Sequence, residues 1–180
     1  MNRAHALLLS FSLAFGAAIP AVSNAAATAP ANYGDDDLRV PSPGADWKMR
    51  DAVRGMPALR VMFSKNRGPG ATSEILVLVE PRPVTNDPAD YLRRIAAALV
   101  KAPISQRIVE KKAFTWHGRS AFQLLLEDKA GHRFARVAFL TPKGEMLMAT
   151  IQSPSASSWK EDTSLFHTVV DGIEMKGAKK

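Results

Sequence analysis

The stretch Ser120–Leu140, SAFQLLLEDKAGHRFARVAFL, contains two strands and the turn that joins them. Leu124 and Leu126 alternate with other residues in the period of two that marks a strand with one buried face. Asp128–Gly131 supplies the polar and glycine residues of a hairpin turn, and the apolar segment Arg133–Leu140 follows it. We therefore predict an antiparallel hairpin over this stretch.

Further strands extend this hairpin in both directions along the chain. Gln106–Trp116 is long and partly charged, which predicts a strand that is bent or lies at a sheet edge. Thr141–Gly144 suits a type I turn, and the strand Glu145–Ser153 completes a four-stranded meander. Upstream, Leu59–Ser64 alternates as a half-buried strand. Ile75–Val79 (ILVLV) is apolar throughout, which predicts a central strand covered on both faces.

Two segments carry the signals of α-helices. Asn86 or Asp87 can cap a helix that begins at Pro88 and has apolar residues at helical spacing. Ser158 and Glu161 have the spacing of a capping box for a second helix. The order of strands, helix, meander and helix predicts an α+β fold, in which two or more α-helices flank an antiparallel β-sheet.

The N-terminus has the three-part pattern of a secretory signal peptide. Arg3 precedes the apolar run Ala6–Ile19, Pro20 ends that run, and Ser23–Ala25 offers small residues for cleavage after Ala25. The run is shorter than the roughly 20 apolar residues that span a bilayer. We therefore divide the chain into a signal peptide at 1–25, a flexible leader at 26–37, a single domain at 38–176 and a frayed tail at 177–180.

Composition narrows the expected compartment and partners. The chain contains no cysteine, so we expect neither a disulfide nor the lipid anchor of a lipoprotein. Its formal net charge of +7 favours weak contact with anionic surfaces, and the absence of a recognition motif argues against nucleic acid as a partner. We expect a soluble periplasmic protein with no transmembrane segment after cleavage, and an unknown protein or envelope component as its partner.

Residues suited to nucleophilic catalysis are few and scattered. His117 and His132 fall in predicted turns, and no serine lies in the strand–turn–helix setting of a nucleophile elbow. A small periplasmic hydrolase that uses one of these histidines is therefore an alternative rather than the favoured function. We assign no catalytic residue.

The methionines suggest a second alternative, the handling of copper in the periplasm. Met146 and Met148 share one face of a predicted strand, and Met49, Met56 and Met62 are further thioethers of the kind that binds Cu(I). Methionines at alternating strand positions usually fill a core instead. We therefore assign no metal ligand and no cofactor.

Four basic residues are candidates for contact with a partner: Lys111, Lys112, Arg119 and Arg136. They lie on neighbouring predicted strands. Because alternation along a strand sends Arg133 and Arg136 to opposite faces, the basic residues of these strands cannot all form one patch. The competing interpretation is that these are solvated charges on the protein surface.

Four short sequence patterns occur along the chain in the order expected of one fold family. They are Val40-Pro41 followed by Trp47, the Pro88–Tyr91 helix opening after ILVLV, Gly118–Ala121 before a strand, and the closing helix Phe166–Ile173. A chain with these patterns resembles the PsbP/DcrB-like superfamily over most of 38–175. The resemblance implies an antiparallel sheet flanked by helices. It also implies a binding, assembly or accessory role, so an exported accessory protein that acts through protein or cell-envelope contacts is the favoured function.

Overall fold

The computed structural model describes residues 32–34, 37–50, 57–100 and 106–176. The predicted signal peptide with its cleavage site at Ala25, the predicted tail 177–180 and Met56 lie outside these ranges. In chain order the elements are β1 (Asn32–Gly34), β2 (Leu38–Pro41), β3 (Lys48–Arg50), β4 (Leu59–Gly68), β5 (Ala71–Glu80), α1 (Pro88–Val100), β6 (Gln106–Trp116), β7 (Arg119–Asp128), β8 (Arg133–Leu140), β9 (Met146–Ser153), α2 (Ala156–Asp171) and β10 (Glu174–Met175).

Seven of the strands form one sheet in the order β3-β4-β5-β9-β8-β7-β6, and every neighbouring pair is antiparallel. The predicted meander is therefore confirmed as β6 to β9. Strand β6 lies at the edge and has a bulge between Ile108 and Glu110, as its length and charge led us to expect. Strands β1, β2 and β10 form a second, smaller sheet. The α+β class with helices flanking an antiparallel sheet is confirmed.

Two turns of the meander, at Asp128–Gly131 and Thr141–Gly144, form at the positions that the sequence predicts. The backbone N–H of Gly131 donates to the carbonyl of Asp128 at 3.2 Å, and that of Gly144 donates to Thr141 at 3.0 Å. Both glycines have φ near +80°, at +84° and +79°, in the region that other residues rarely enter. Each turn therefore needs its glycine to close the hairpin.

Helix α1 begins where the sequence predicts. The carboxylate of Asp87 accepts the backbone N–H of Ala89 at 2.9 Å, which caps a helix starting at Pro88. The Tyr91 hydroxyl donates to Glu80 Oε2 at 2.8 Å and ties the first turn to the end of β5.

Helix α2 begins about one turn before the predicted capping box. Ser155 is the N-cap residue, and its hydroxyl accepts the backbone N–H of Ser158 at 3.3 Å. Glu161 does not cap the helix, because its carboxylate bonds to Lys65 and Arg67 instead. Neither helix of the described ranges is long and apolar enough to cross a membrane.

The side-chain alternation of the large sheet produces two faces, and one helix packs on each. We call them the α1 face and the α2 face. Phe166, Val169 and Val170 of α2 pack against the face that carries Ile75 and Val77. This cluster also includes residues of β2, so α2 closes the joint between the two sheets.

Helix α1 covers less of its own face. It packs on β6, β7 and β8, where Leu92 joins a cluster with Leu124 and Leu126. Strand β5 lies beyond the helix, so its Leu76 and Leu78 are only partly buried. The prediction that ILVLV is covered on both faces is therefore wrong for the α1 face.

Strand β1 lies inside the predicted flexible leader. Its Tyr33 pairs with Val40 of β2 in an antiparallel ladder. The expectation of a flexible leader over 26–37 therefore does not hold for 32–34. Three residues are too short to show a periodic pattern, and their pairing depends on β2 rather than on an apolar face of their own.

Candidate functional site

The structure divides the four basic candidates between the two faces of the sheet. Lys111 and Arg136 are the register neighbours of Leu124, one on each side, so both belong to the α1 face. Lys112 and Arg119 alternate to the α2 face. The four residues do not form one patch, in agreement with the argument from alternation.

Strand β6 is an open edge of the large sheet. One side of its backbone pairs with β7, and in the ranges that the structure describes no strand pairs with the other side. Most of its side chains between the two ends are exposed, and Val109 at the bulge is 53 % exposed. Such an edge presents unpaired backbone N–H and C=O groups that can pair with another chain.

The basic side chains of β6 affect which partner strand can pair with this edge. Lys111 and Lys112 are adjacent and exposed, while Arg107 bonds to Glu127 of β7 at 3.0 Å. Lysines and a bulge on an edge strand discourage pairing between identical edges, because like charges meet. The β6 edge is therefore better suited to an acidic segment than to a second copy of itself.

A groove lies where the small sheet meets the β8–β9 turn. Arg60, Glu145 and Lys176 contribute to its lining together with an ion pair in which Lys143 Nζ lies 2.7 Å from Asp37 Oδ2. The hydrogen bond and charge of Lys143 hold the pKa of Asp37 below its ordinary value. The backbone of Lys176 also donates to the carbonyl of Asp37. The ion pair joins the small sheet to the β8–β9 turn and the backbone bond lies within the small sheet, so the groove has a structural explanation.

A buried ion pair joins α2 to the β4–β5 hairpin. Asp162 is fully buried and accepts hydrogen bonds from the guanidinium of Arg67 and from the hydroxyls of Ser73, at 2.6 Å, and Ser153, at 2.7 Å. We call these four residues the clasp. All its donors come from the fold itself, so the carboxylate is committed to structure rather than to proton transfer.

The two histidine candidates stand at opposite ends of β7. His117 Nε2 lies 2.9 Å from the carbonyl oxygen of Asp171, and His132 Nδ1 lies 2.8 Å from Asp128 Oδ2. Among the residues with described positions, neither ring contacts a hydroxyl nucleophile. Each histidine therefore has a local structural bond, and the structure does not bring the two together.

The methionines also separate. Met146 and Met148 belong to the cluster under α1, and Met62 is buried as well, whereas Met49 is exposed on the other face. The core-filling interpretation therefore describes Met146 and Met148. Within the described part of the chain, no three histidine, aspartate or glutamate side chains come close enough together to hold a metal ion.

Comparison with known proteins finds similarity in structure but not in sequence. No protein-family model matches the chain, and no curated protein matches it significantly. Among solved structures, cyanobacterial PsbP (CyanoP) from Synechocystis superposes with a TM-score of 0.61 at 15% identity, over 86% of this chain and 98% of that one. The chain has the PsbP-like fold. The predicted resemblance is thereby confirmed at the level of the fold.

Other structures with the PsbP-like fold differ in what they do. LpqN, involved in cell envelope biogenesis of Mycobacterium tuberculosis, superposes with a TM-score of 0.56 at 15% identity, over 79% of this chain and 86% of that one. The Ran-binding protein Mog1p of Saccharomyces cerevisiae does so with 0.55 at 10% identity, over 77% and 90%. At these identities no site residue can be transferred to the present chain.

One basic candidate differs from the other three in its surroundings. Arg136 is partly buried on the α1 face, and its Nε atom is inaccessible to solvent and without a hydrogen-bond partner among the described residues. Burial lowers its pKa to about 10. Arg136 and the β6 edge are thus two features of this PsbP-like fold that contacts among the described residues do not explain. The buried Nε1 of Trp47 and Oε1 of Gln106 also have no hydrogen-bond partner among those residues.

Proposed function

We propose that this PsbP-like chain is an exported, soluble periplasmic accessory protein that binds another protein or envelope component and does not catalyse a reaction. The open edge of β6 is the observation that carries the proposal. It offers eleven residues of strand at the rim of a rigid sheet, with Lys111 and Lys112 exposed beside its free backbone groups. An extended segment of a partner can add to such an edge as a further strand.

Charge supports one class of partner for this edge. Paired lysines attract an acidic segment and speed its association, whereas they repel another basic surface. Weak contact with anionic envelope polymers or lipids would use the same charges. A strand-forming acidic segment of a protein satisfies the backbone and the lysines together, so it is the partner we favour.

Two further observations support the location and the accessory role. The predicted signal peptide at 1–25 supports export, and LpqN, which has a similar fold, is involved in cell envelope biogenesis. Against the hydrolase alternative, His117 and His132 are engaged in separate local contacts. Against copper handling, Met146 and Met148 lie in the core.

Site-specific photocrosslinking in producing cells tests the binding surface. A photoreactive residue replaces Val109 or Ala113 on β6, and matched exposed controls replace Lys160 on α2 or Arg93 on α1. We expect one partner to crosslink from both β6 positions and not from the controls, and we expect the charge reversal K111E/K112E to weaken it. Equal crosslinking from the controls, or none from β6, contradicts the proposal.

Cell fractionation tests the location separately. We expect the protein in the periplasmic fraction, with Ala26 as its first residue by mass spectrometry. A cytoplasmic protein that retains residues 1–25 would contradict export while leaving the β6 surface to be judged by its own test.

A further inference from the structure

Arg136 lies at the boundary between the covered and uncovered parts of the α1 face. Its register neighbour on β7 is Leu124, which is fully buried in the cluster under α1. Its neighbour on β9 is Thr150, whose own register partner on β5 is Leu76, which is only partly buried. We call such a line of register partners across the strands a row. Thr150 is itself buried, so β5 is the less covered of the two strands beyond Arg136.

The described part of the chain gives Arg136 no acceptor that explains its burial. A guanidinium carries five N–H donors, and each one that is removed from water without an acceptor destabilises the protein. Nε of Arg136 is such a donor, and none of the described carboxylates forms an ion pair with this side chain. Buried arginines are rare unless they are paired, so this position calls for an external explanation.

The nearest acid of the same face is engaged elsewhere. Glu74 lies one row further along β5, opposite Gln152, and its carboxylate is 3.9 Å from the guanidinium of Arg50. Burial raises the pKa of Glu74, while the charge of Arg50 opposes that rise. Glu74 therefore does not neutralise Arg136.

The charged residues around Arg136 indicate which anion could bind to it. Lys111 belongs to the same row as Arg136 but stands two strands away, about 10 Å at the usual strand spacing, so one small group cannot bind both cations. A dianion such as phosphate would therefore meet a single guanidinium, which balances only one of its charges. A carboxylate carries a single negative charge and matches the two-pronged geometry of the guanidinium.

We propose that Arg136 binds the carboxylate of a small amphipathic ligand whose apolar part lies over Leu76 and Leu78 beside helix α1. The two leucines are partly exposed on the same face, and Leu78 also packs against the α1 cluster. Thr150 adds a hydroxyl next to Arg136 that can donate to the second carboxylate oxygen. This site lies on the α1 face and is separate from the backbone edge of β6.

Titration with octanoate tests the proposal on the mature protein, with the backbone amide signals followed by NMR. We expect octanoate to shift signals at Leu76, Arg136 and Thr150 and to raise Tm. Acetate, which lacks the apolar chain, and octanamide, which lacks the charge, should each bind at least about tenfold more weakly. Tighter binding of inorganic phosphate than of octanoate would overturn the assignment to a carboxylate.

Variants assign the binding to the residues named. R136M keeps an apolar side chain of similar length and should weaken octanoate binding at least about tenfold. R133M removes an arginine from the opposite face of the same strand and should bind octanoate as the wild type does. L76E places a like charge where the apolar chain would lie and should also abolish binding. The proposal is overturned if R136M unfolds, which would show a structural partner, or if R136M and L76E bind octanoate as the wild type does.

Discussion

Each face of the large sheet carries a partly buried arginine, and the two arginines differ in whether the described part of the chain supplies an ion-pair partner. On the α2 face, Arg67 meets Asp162, and two serine hydroxyls complete the carboxylate's hydrogen bonds. On the α1 face, Arg136 has an inaccessible Nε with no partner among the described residues. Removing one partner of a buried ion pair is strongly destabilising, because the other charge is left uncompensated. Arg136 has no such pair among the described residues, and our proposal assigns it to an external carboxylate.

The faces also differ in how their helices close them. Helix α2 seals the core between both sheets, while the cluster under α1 extends from β6 to β9 and leaves Leu76 of β5 partly exposed. This difference in cover suggests that residues of the closed α2 face chiefly stabilise the fold, whereas the open part of the α1 face is free to bind. We expect substitutions in the clasp to change the free energy of unfolding, and substitutions at Arg136 or on β6 to change chiefly what the protein binds.

The largest effect should come from breaking the clasp. D162A removes the buried carboxylate that contacts Arg67 and leaves that guanidinium short of acceptors. We therefore expect the free energy of unfolding to fall by about 3 kcal/mol. Urea denaturation followed by circular dichroism measures this. E161A is the matched control, because Glu161 bonds the same arginine from a side chain that is 51% exposed. A similar loss in both variants would mean that burial of the ion pair is not what matters.

A smaller effect, of opposite sign, should follow from the acid on the α1 face. Burial raises the pKa of Glu74 above its value in the unfolded chain, so the stability that its neutral form contributes is lost as pH rises through the folded-state pKa. E74Q should therefore stabilise the protein at pH 7, by less than about 1 kcal/mol, and the gain should vanish at acidic pH. Thermal unfolding across pH measures it, with E110Q on the exposed β6 as control. A stabilisation that persists at acidic pH would contradict this cause.

The smallest effect on stability is expected at the β6 edge. K111E/K112E changes two exposed side chains with no ion pair to other described residues, so Tm should not change measurably while crosslinking from Val109 falls. The matched double variant R93E/K160E should leave crosslinking intact. A fall in Tm that parallels the loss of crosslinking would show that β6 acts through folding and not through contact.

Much of the fold follows from local sequence signals. Alternation over Leu124 and Leu126 and the glycines at 131 and 144 were sufficient to predict the meander, because strand faces and tight turns depend on neighbouring residues. The cover of Leu76 was not predictable in this way. It depends on which strands α1 packs against, and that is decided by the assembled sheet.

The candidate sites also divide into features that local sequence predicts and features that depend on the folded chain. Alternation correctly separated Arg133 from Arg136. The length and charge of Gln106–Trp116 predicted a strand that is bent or at an edge, and β6 has both a bulge and an edge position. The clasp was missed because Arg67 and Asp162 are 95 residues apart and only the fold brings them together. The isolation of Arg136 was missed for the related reason that it depends on which acids the folded chain places nearby.

The most direct test of the contrast between the faces is to remove each arginine in the same way. The free energies of unfolding of R67M and R136M should be measured side by side by urea denaturation. R67M leaves Asp162 buried without its cation and should lose about 3 kcal/mol, whereas R136M should lose nothing or gain about 1 kcal/mol. Comparable losses in the two variants would show that Arg136 is a structural residue like Arg67, and would contradict its assignment to a ligand.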